Sequence, residues 1–201
     1  GPHPEYWSIA MYERVKKWVF EEGGRLMYLG GNGLNCAVEF TDRHTCIYRN
    51  EDARELRDPA KGFESRFHQQ HESEACLLGV VYDERGIMTA APYEVVDASH
   101  WAFKGTDLRN GDIFGRESLH ERIPGGASGH ETDKRSKSSP PDTKLLARGL
   151  NADGGGAEMC LHATPHGGAV FASGSICWIA SILVDASVSQ VTANVLRRFL
   201  R

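Results

Sequence analysis

Apolar residues near the start of the chain recur at the spacing of an amphipathic helix. One helical face carries Met11, Tyr12, Val15, Trp18 and Val19, and charged residues occupy the opposite face. Ser8 precedes this pattern and can act as its N-cap, while Gly23-Gly24 can stop it. The pattern therefore predicts a first helix between Ser8 and Gly23.

The next stretch combines a short apolar segment with a glycine-rich turn. Leu26 to Leu29 is almost entirely apolar, and the turn Gly30-Gly31-Asn32-Gly33 follows it. A helix, a glycine stop, an apolar strand and a glycine turn are typical of an open parallel sheet. In such sheets, functional groups gather beyond the carboxyl ends of the strands. Asn32 is the one functional side chain in this turn.

The remaining pattern predicts further strands, a hairpin and a final helix. Residues 164–168 form the predicted hairpin turn, and Asp185 or Ser187 caps a last helix that presents Val188, Val191, Val195 and Phe199 on one face. Residues 50–75 are expected to form a loop or short helix, 124–134 a glycine-rich polar loop, and 135–142 a flexible segment. Strands are predicted at 37–40, 46–49, 76–82, 101–103, 145–147, 158–163 and 169–172.

Composition indicates one ordinary globular domain over residues 1–201. Hydrophobic residues make up 40% of the chain and the formal net charge is −4, which weighs against general nucleic-acid or membrane-surface binding. No signal peptide is visible and no apolar run approaches the length of a membrane helix, so we expect a cytoplasmic protein. The five cysteines include no CxxC pair, which favours free thiols. The chain lacks an initiating methionine, so we expect either processing or a fragment of a longer protein.

Three short motifs could carry chemistry, and each also has an ordinary structural interpretation. His3 and Glu5 would share one side of an extended segment and could bind a metal or move a proton, or form a solvated terminus. Asn32 could donate to a substrate carbonyl, or serve only as a turn residue. Glu131, within a glycine-dense segment, could place a carboxylate in a cleft or lie on a charged surface loop.

Two other possibilities have weaker support. His68, His71, Glu72 and Glu74 resemble a ligand cluster, but no HExxH motif is present and a solvated face explains them. No GxSxG motif appears, and the neighbours of Cys36 do not form a nucleophile elbow. A thiol-dependent amidotransferase relative that uses Cys36 stays open as an alternative.

Several blocks, taken together and in order, carry a family resemblance across nearly the whole chain. The blocks are residues 3–8, 23–33, 125–131, 167–171 and 191–199. These blocks resemble the C-terminal domain of the large (beta) subunit of the N,N-dimethylformamidase family. The resemblance implies an α/β fold like that of class I glutamine amidotransferases, without use of the amidotransferase cysteine. We therefore expect an open, mostly parallel, flavodoxin-like sheet with helices on both faces, in three layers.

The same resemblance implies a chemistry and a set of site residues. Family members hydrolyse N,N-dimethylformamide to dimethylamine and formate, with a mononuclear iron held by two tyrosines and one glutamate. The matching glutamate is Glu5, and His3 would lie beside the metal. Asn32 and Glu131 would line the pocket, with Glu131 as a proton-transfer group and Phe171 as an apolar wall.

Two departures from the family pattern change the expectation. The iron-binding tyrosines of the family belong to sequence upstream of Gly1, so we expect the site to be completed only in a longer parent chain. Family members usually have aromatic residues directly after Gly-Gly-Asn-Gly, where Leu34-Asn35-Cys36 stand here. The substrate is therefore expected to be N,N-dimethylformamide or a related small amide.

The leading hypothesis is thus an amidohydrolase domain that is catalytic in its parent subunit and inactive as this fragment. Its expected partners are a small amide and further subunits, in a homo-oligomer or with a small subunit. The alternative is a non-catalytic module, similar to a glutamine amidotransferase, that supports other subunits.

Overall fold

The computed structural model describes residues 1–48 and 63–201. Its helices are α1 (Ile9–Phe20), α2 (Arg66–Gln70), α3 (Ala75–Leu78), α4 (Cys177–Ser181) and α5 (Ala186–Phe199), with 3-10 turns at Glu84–Gly86, Trp101–Phe103 and Ala152–Gly154. Its strands are β1 (Tyr6–Trp7), β2 (Arg25–Tyr28), β3 (Cys36–Phe40), β4 (Cys46–Tyr48), β5 (Val81–Asp83), β6 (Ala90–Ala91), β7 (Tyr93–Val95), β8 (Ile113–Phe114), β9 (Ser128–Gly129), β10 (Thr132–Lys134), β11 (Lys144–Gly149), β12 (Glu158–Ala163) and β13 (Ala169–Ala172).

The main sheet has six strands in the order β2-β13-β12-β11-β7-β8. Only the β13–β2 pair is parallel, and the other four pairs are antiparallel. The expected open, mostly parallel, flavodoxin-like sheet is therefore wrong. A short turn joins β12 to β13, and a connection this short can only join antiparallel neighbours. The apolar strand β2 lies at the end of the strand order rather than in the middle of a parallel sheet.

Two apolar clusters lie on opposite faces of this sheet. Along β13, Phe171 faces a cluster that includes Trp178 of α4 and Val191 of α5. Its neighbour Val170 faces a second cluster, which includes Tyr12 of α1. Side chains alternate along a strand, so β13 contributes to both clusters and is covered on both faces.

Three smaller sheets carry the segments that hold the candidate site. β1 pairs in parallel with β3, which pairs antiparallel with β4. β10 pairs with β5, and β9 pairs with β6, both antiparallel. The N-terminal segment and the segment around residue 131 are therefore fixed by short strand pairs outside the main sheet.

The predictions for both long helices are confirmed. The Ser8 hydroxyl accepts the Met11 N–H at the start of α1, and the Asp185 carboxylate accepts the N–H groups of Ser187 and Val188 at the start of α5. The hairpin of β12 and β13 is also confirmed. Among the described residues, no helix has the length and apolar character needed to cross a membrane. All five cysteines are free, as predicted.

Several local predictions are wrong. The apolar run predicted as a strand at 76–82 is divided by Gly79, which adopts φ +79° and ends α3 before β5 begins. The predicted strand at 101–103 is a 3-10 turn. The predicted polar loop at 124–134 contains β9 and β10 and is largely buried. Residue 49, at the end of the predicted strand 46–49, and residues 50–62 lie outside the described residues.

Candidate active site

The N-terminal segment lies along the glycine turn and is joined to it by backbone hydrogen bonds. The N–H of Gly31 donates to the Pro2 carbonyl at 3.2 Å, and the N–H of Leu34 donates to the Pro4 carbonyl at 2.8 Å. The N–H of Cys36 then donates to the Glu5 carbonyl at 2.9 Å. These three hydrogen bonds place the side chains of His3 and Glu5 beside the turn.

The turn itself packs closely on the segment that carries Glu131. A Cβ atom on Gly31 would overlap the backbone carbonyl of Glu131, so glycine is required there. Asn32 and Leu34 adopt φ values of 53° and 59°, in the left-handed region that non-glycine residues seldom occupy. The turn therefore has a specific backbone conformation that is fixed by its close packing.

The imidazole of His3 is the meeting point of the predicted site residues. Its Nε2 lies 3.3 Å from Glu5 Oε2, 3.0 Å from Glu131 Oε2 and 3.1 Å from Asn32 Nδ2. The imidazole is partly exposed, whereas the two carboxylates keep only 11% and 14% of their side-chain surface in solvent. The structure thus brings His3, Glu5, Asn32 and Glu131 together, although the role of each stays a prediction.

The surroundings of Glu131 favour the protonated form of its carboxyl. Burial raises the pKa of its carboxyl, and the nearby negative charge of Glu5 adds to that increase. Hydrogen bonding from Asn32 and the neighbouring His3 act in the opposite direction without cancelling the effect of burial. A carboxyl whose pKa is raised holds its proton more readily than an ordinary glutamate does.

Two buried polar atoms in this cluster have no hydrogen-bond partner among the described residues. They are Asn32 Oδ1 and Glu131 Oε2, and the latter lies only in ion-pair contact with His3. Buried polar atoms are rarely left unsatisfied, because each one costs free energy. A water or bound molecule with N–H or O–H groups would satisfy both atoms.

Glu5 has a second set of neighbours that the sequence analysis did not identify. Its Oε1 accepts from the Cys36 thiol at 3.1 Å and lies 3.6 Å from Arg66 Nη1. Arg66 also lies 3.5 Å from Cys36 Sγ, and the Tyr48 hydroxyl lies 3.7 Å from that sulfur. The sequence signal nearest to this set is the departure expected at residues 34–36, which include Cys36.

These contacts do not fit Cys36 as a nucleophile. Burial raises the pKa of its thiol to about 11, which outweighs the opposing effect of the Arg66 guanidinium. A nucleophilic cysteine needs the thiolate form, usually in an exposed and electropositive place. Cys36 is completely buried and donates its proton towards Glu5.

The other predicted residues lie apart from this cluster. Phe171 is completely buried in the core, where its ring packs against Trp178, so its predicted role as a pocket wall is not supported by any described contact with the site. His71 and Glu72 come together with Glu13, but Glu72 is also engaged by the Lys16 ammonium and the Tyr12 hydroxyl. Glu74 is buried elsewhere against Ser65. The group of Glu13, His71 and Glu72 therefore forms an ion-pair network with Lys16.

The expected iron can be compared with the donors that surround Glu5. A carboxylate oxygen suits a ferric ion, so the residue type fits. Within the described residues, however, Glu5 belongs to no set of three His, Cys, Asp or Glu side chains whose ligand atoms all lie within 4.8 Å of one another. Glu5 therefore fits as a single ligand, and the His, Cys, Asp and Glu side chains among the described residues do not complete a compact centre around it.

A domain of mixed sheets that places two carboxylates, an imidazole and an amide at one glycine turn has groups that can serve acid–base chemistry. A family model described as N,N-dimethylformamidase beta subunit-like, C-terminal, matches residues 1–190. The chain therefore belongs to this family.

Two curated relatives carry the same family name. The chain is 26% identical over 247 aligned residues to the N,N-dimethylformamidase beta subunit of Alcaligenes sp, and 25% identical over 251 residues to that of Paracoccus aminophilus. Each match covers the whole of this chain but only 31% of the relative. The chain thus spans about a third of the length of the curated relatives it matches.

Proposed function

We propose that this domain supplies the acid–base residues of an amide hydrolase active site, with N,N-dimethylformamide or a related small amide as substrate. The observation that carries this proposal is the contact of one imidazole nitrogen, His3 Nε2, with Glu5, Glu131 and Asn32. These residues come from three distant parts of the sequence. A module that only binds other subunits through its surface does not require them to meet beside two buried oxygens, Asn32 Oδ1 and Glu131 Oε2, that lack hydrogen-bond partners among the described residues.

Each residue has a distinct task in this proposal. Amide hydrolysis adds a hydroxyl group to the acyl carbon and a proton to the amine nitrogen as the C–N bond breaks. Glu131 carries the proton, since burial holds the pKa of its carboxyl above the ordinary range. The Asn32 amide group donates to the substrate carbonyl oxygen, and His3 holds the two carboxylates in register.

Iron would be held by Glu5 together with ligands from outside the described residues. When bound, a ferric ion would polarise the amide carbonyl and acidify water. The names of the curated relatives, which are beta subunits, support a further proposal that the active protein contains more than one subunit.

The test uses the complete natural protein that contains these residues and measures amine release from small amides. We expect Glu131→Gln to lower kcat by about 100-fold or more, because an amide cannot transfer the proton. Glu158→Gln is the matched control. Glu158 lies on β12 of the main sheet, pairs with Arg135 and does not contact the site. Equal activity of Glu131→Gln and wild type would refute the proposal.

A second candidate function, a non-catalytic module that supports other subunits, is favoured by one observation. The Arg66 guanidinium lies beside Glu5 Oε1, where it already compensates the carboxylate charge. Iron analysis of the complete protein separates the two candidates. Stoichiometric iron that is lost in Glu5→Gln supports the enzyme, whereas iron-free protein without amidase activity supports the module.

A further inference from the structure

A buried carboxylate two residues after Glu131 anchors the glycine turn. Asp133 is almost completely buried, and its Oδ1 accepts the backbone N–H of Asn32 at 2.7 Å. Its Oδ2 accepts the Tyr28 hydroxyl at 2.7 Å, and the oxygen of that hydroxyl accepts the Gly33 N–H at 2.8 Å. One side chain thus holds two consecutive backbone N–H groups of the turn, one directly and one through Tyr28.

The turn needs such support because its backbone is unusual. Asn32 has φ 53°, a conformation that non-glycine residues adopt mainly where surrounding contacts favour it. The N–H of Asp133 itself donates to the Gly174 carbonyl at 2.8 Å, so the segment after β13 helps to fix the anchoring residue. The left-handed geometry of Asn32 is therefore tied to the same strand that follows Glu131.

We propose that Asp133 is a positioning residue, which sets the Asn32 side chain against His3 and Glu131 by holding the Asn32 backbone. The path from Glu131 to Asn32 through Asp133 is only two residues and one hydrogen bond long. Such a short path fixes the distance between the amide group and the proton carrier. The catalytic consequence of this anchoring rests on the proposed function, whereas the anchoring itself does not.

The chemistry of the contacts explains why the residue is an aspartate. Both donors that reach it, the Asn32 N–H and the Tyr28 hydroxyl, need acceptors, and a carboxylate offers only acceptors. In Asp133→Asn, the side-chain oxygen can accept from only one of these donors, so the other bond is lost or, at the Tyr28 hydroxyl, reversed in direction. This variant keeps the shape of the side chain and removes part of its function. Asp133→Ala removes both acceptors.

Asp83 provides a matched control on the neighbouring strand. It is also a buried aspartate, in β5, and pairs with Arg85 and Lys134. The hydrogen bonds of the turn's N–H groups go to Asp133 and Tyr28 rather than to Asp83. Asp83→Asn therefore tests the general cost of neutralising a buried aspartate in this region.

The anchoring is tested by NMR on this chain, independently of activity. In Asp133→Ala, the Asn32 backbone amide proton should move upfield and exchange with solvent about tenfold or more faster, as expected for loss of a buried hydrogen bond. Asp83→Asn should leave this resonance in place. A second variant, Tyr28→Phe, should release the Gly33 amide. Unchanged Asn32 and Gly33 resonances in the two variants would overturn the proposal.

Kinetics of the complete natural protein then test the positioning role. We expect Asp133→Asn to lower kcat by about 10- to 100-fold, as for other residues that orient functional groups, with little change in KM. In an Asn32→Ala background, the same substitution should cost less than about threefold, because its effect passes through Asn32. An equally large loss of kcat in the Asn32→Ala background would overturn the positioning role of Asp133. Inactive wild type would instead refute the proposed function and leave the NMR result to decide the anchoring.

Discussion

Gly31 and Glu131 lie in backbone contact, 100 positions apart in the sequence. A Cβ atom on Gly31 would overlap the Glu131 carbonyl oxygen and also crowd the Ile176 N–H, which donates to that oxygen. The glycine turn and the segment that contains Glu131 are thus in contact at a position where only glycine fits. Side-chain convergence in the site depends on this backbone approach.

Gly31→Ala should therefore damage both stability and the site. Overpacking against backbone costs about 1–3 kcal/mol, and we expect a loss of free energy of unfolding in this range, measured by chemical denaturation. Gly167→Ala is the control, because Gly167 has φ +82° but nothing within 4 Å of an added Cβ. The control should lose about 1–2 kcal/mol from strain alone and leave the Asn32 and Glu131 NMR signals unchanged. Unperturbed site signals in Gly31→Ala would contradict the contact.

Stability should fall as pH rises towards 8, because of buried Glu74. Burial raises the pKa of its carboxyl to about 8, despite the hydrogen bond from Ser65. Between the pKa of the unfolded chain, about 4.3, and this folded value, the folded state holds a proton that the unfolded state has released. Raising the pH through this window therefore favours unfolding, by roughly 1.4 kcal/mol for each unit of pKa difference.

Denaturant titrations at pH 5 and pH 8 measure this effect. Glu74→Gln should flatten the difference between the two pH values, although Asp133, whose pKa burial raises to about 7, contributes in the same direction. Glu22→Gln is the control, since Glu22 is an exposed partner of Arg14. A wild-type protein that is more stable at pH 8 than at pH 5 would show that Glu74 does not hold its proton as described.

Thiol labelling should separate Cys46 from Cys36. Cys46 is exposed on β4, whereas Cys36 is completely buried and donates to Glu5. We expect native protein treated with a thiol reagent to be labelled at Cys46 and to retain an unmodified Cys36 until it unfolds, as read by peptide mass spectrometry. Cys46→Ser removes the fast reaction and serves as the control. Rapid modification of Cys36 in that variant would revive a thiol-dependent mechanism.

Removing the Arg66 charge should strengthen cation binding at Glu5. Its Nη1 lies 3.6 Å from Glu5 Oε1 in a partly exposed setting, so the repulsion that it exerts on a bound cation is of moderate size. In the complete natural protein, Arg66→Gln should raise iron affinity by about 3- to 10-fold, measured by competition with a chelator. Arg85→Gln, which removes one of the two cationic partners of Asp83, should have no effect. Weaker iron binding in Arg66→Gln would mean that Arg66 instead orients Glu5.

Local sequence signals predicted the elements whose ends are marked by specific residues. Ser8 and Asp185 cap their helices as expected, and the turn 164–168 separates two paired strands. The strand direction in the main sheet was not accessible in this way. A buried antiparallel strand and a buried parallel strand are both apolar, so the run from Leu26 to Leu29 could not distinguish them.

The sequence likewise predicted some residues of the site and missed others. The proximity of Glu5, Asn32 and Glu131 was expected from the family resemblance, because spacing alone left each with an ordinary structural explanation. Asp133 and Arg66 were missed as neighbours of these residues. Their contacts with Asn32 and Glu5 join positions 101 and 61 residues apart, and no short-range rule predicts hydrogen bonds across such separations.

The prolines on either side of His3 allow the N-terminal segment to bind the turn without losing a backbone hydrogen bond. Pro2 and Pro4 contribute only their carbonyl oxygens to the turn, so the missing N–H of each ring costs no hydrogen bond. Their rings also restrict φ before the segment docks, and this lowers the conformational entropy that docking removes. His3 and Glu5 are therefore presented on a partly stiffened ribbon, which favours a single arrangement of the imidazole and the carboxylate.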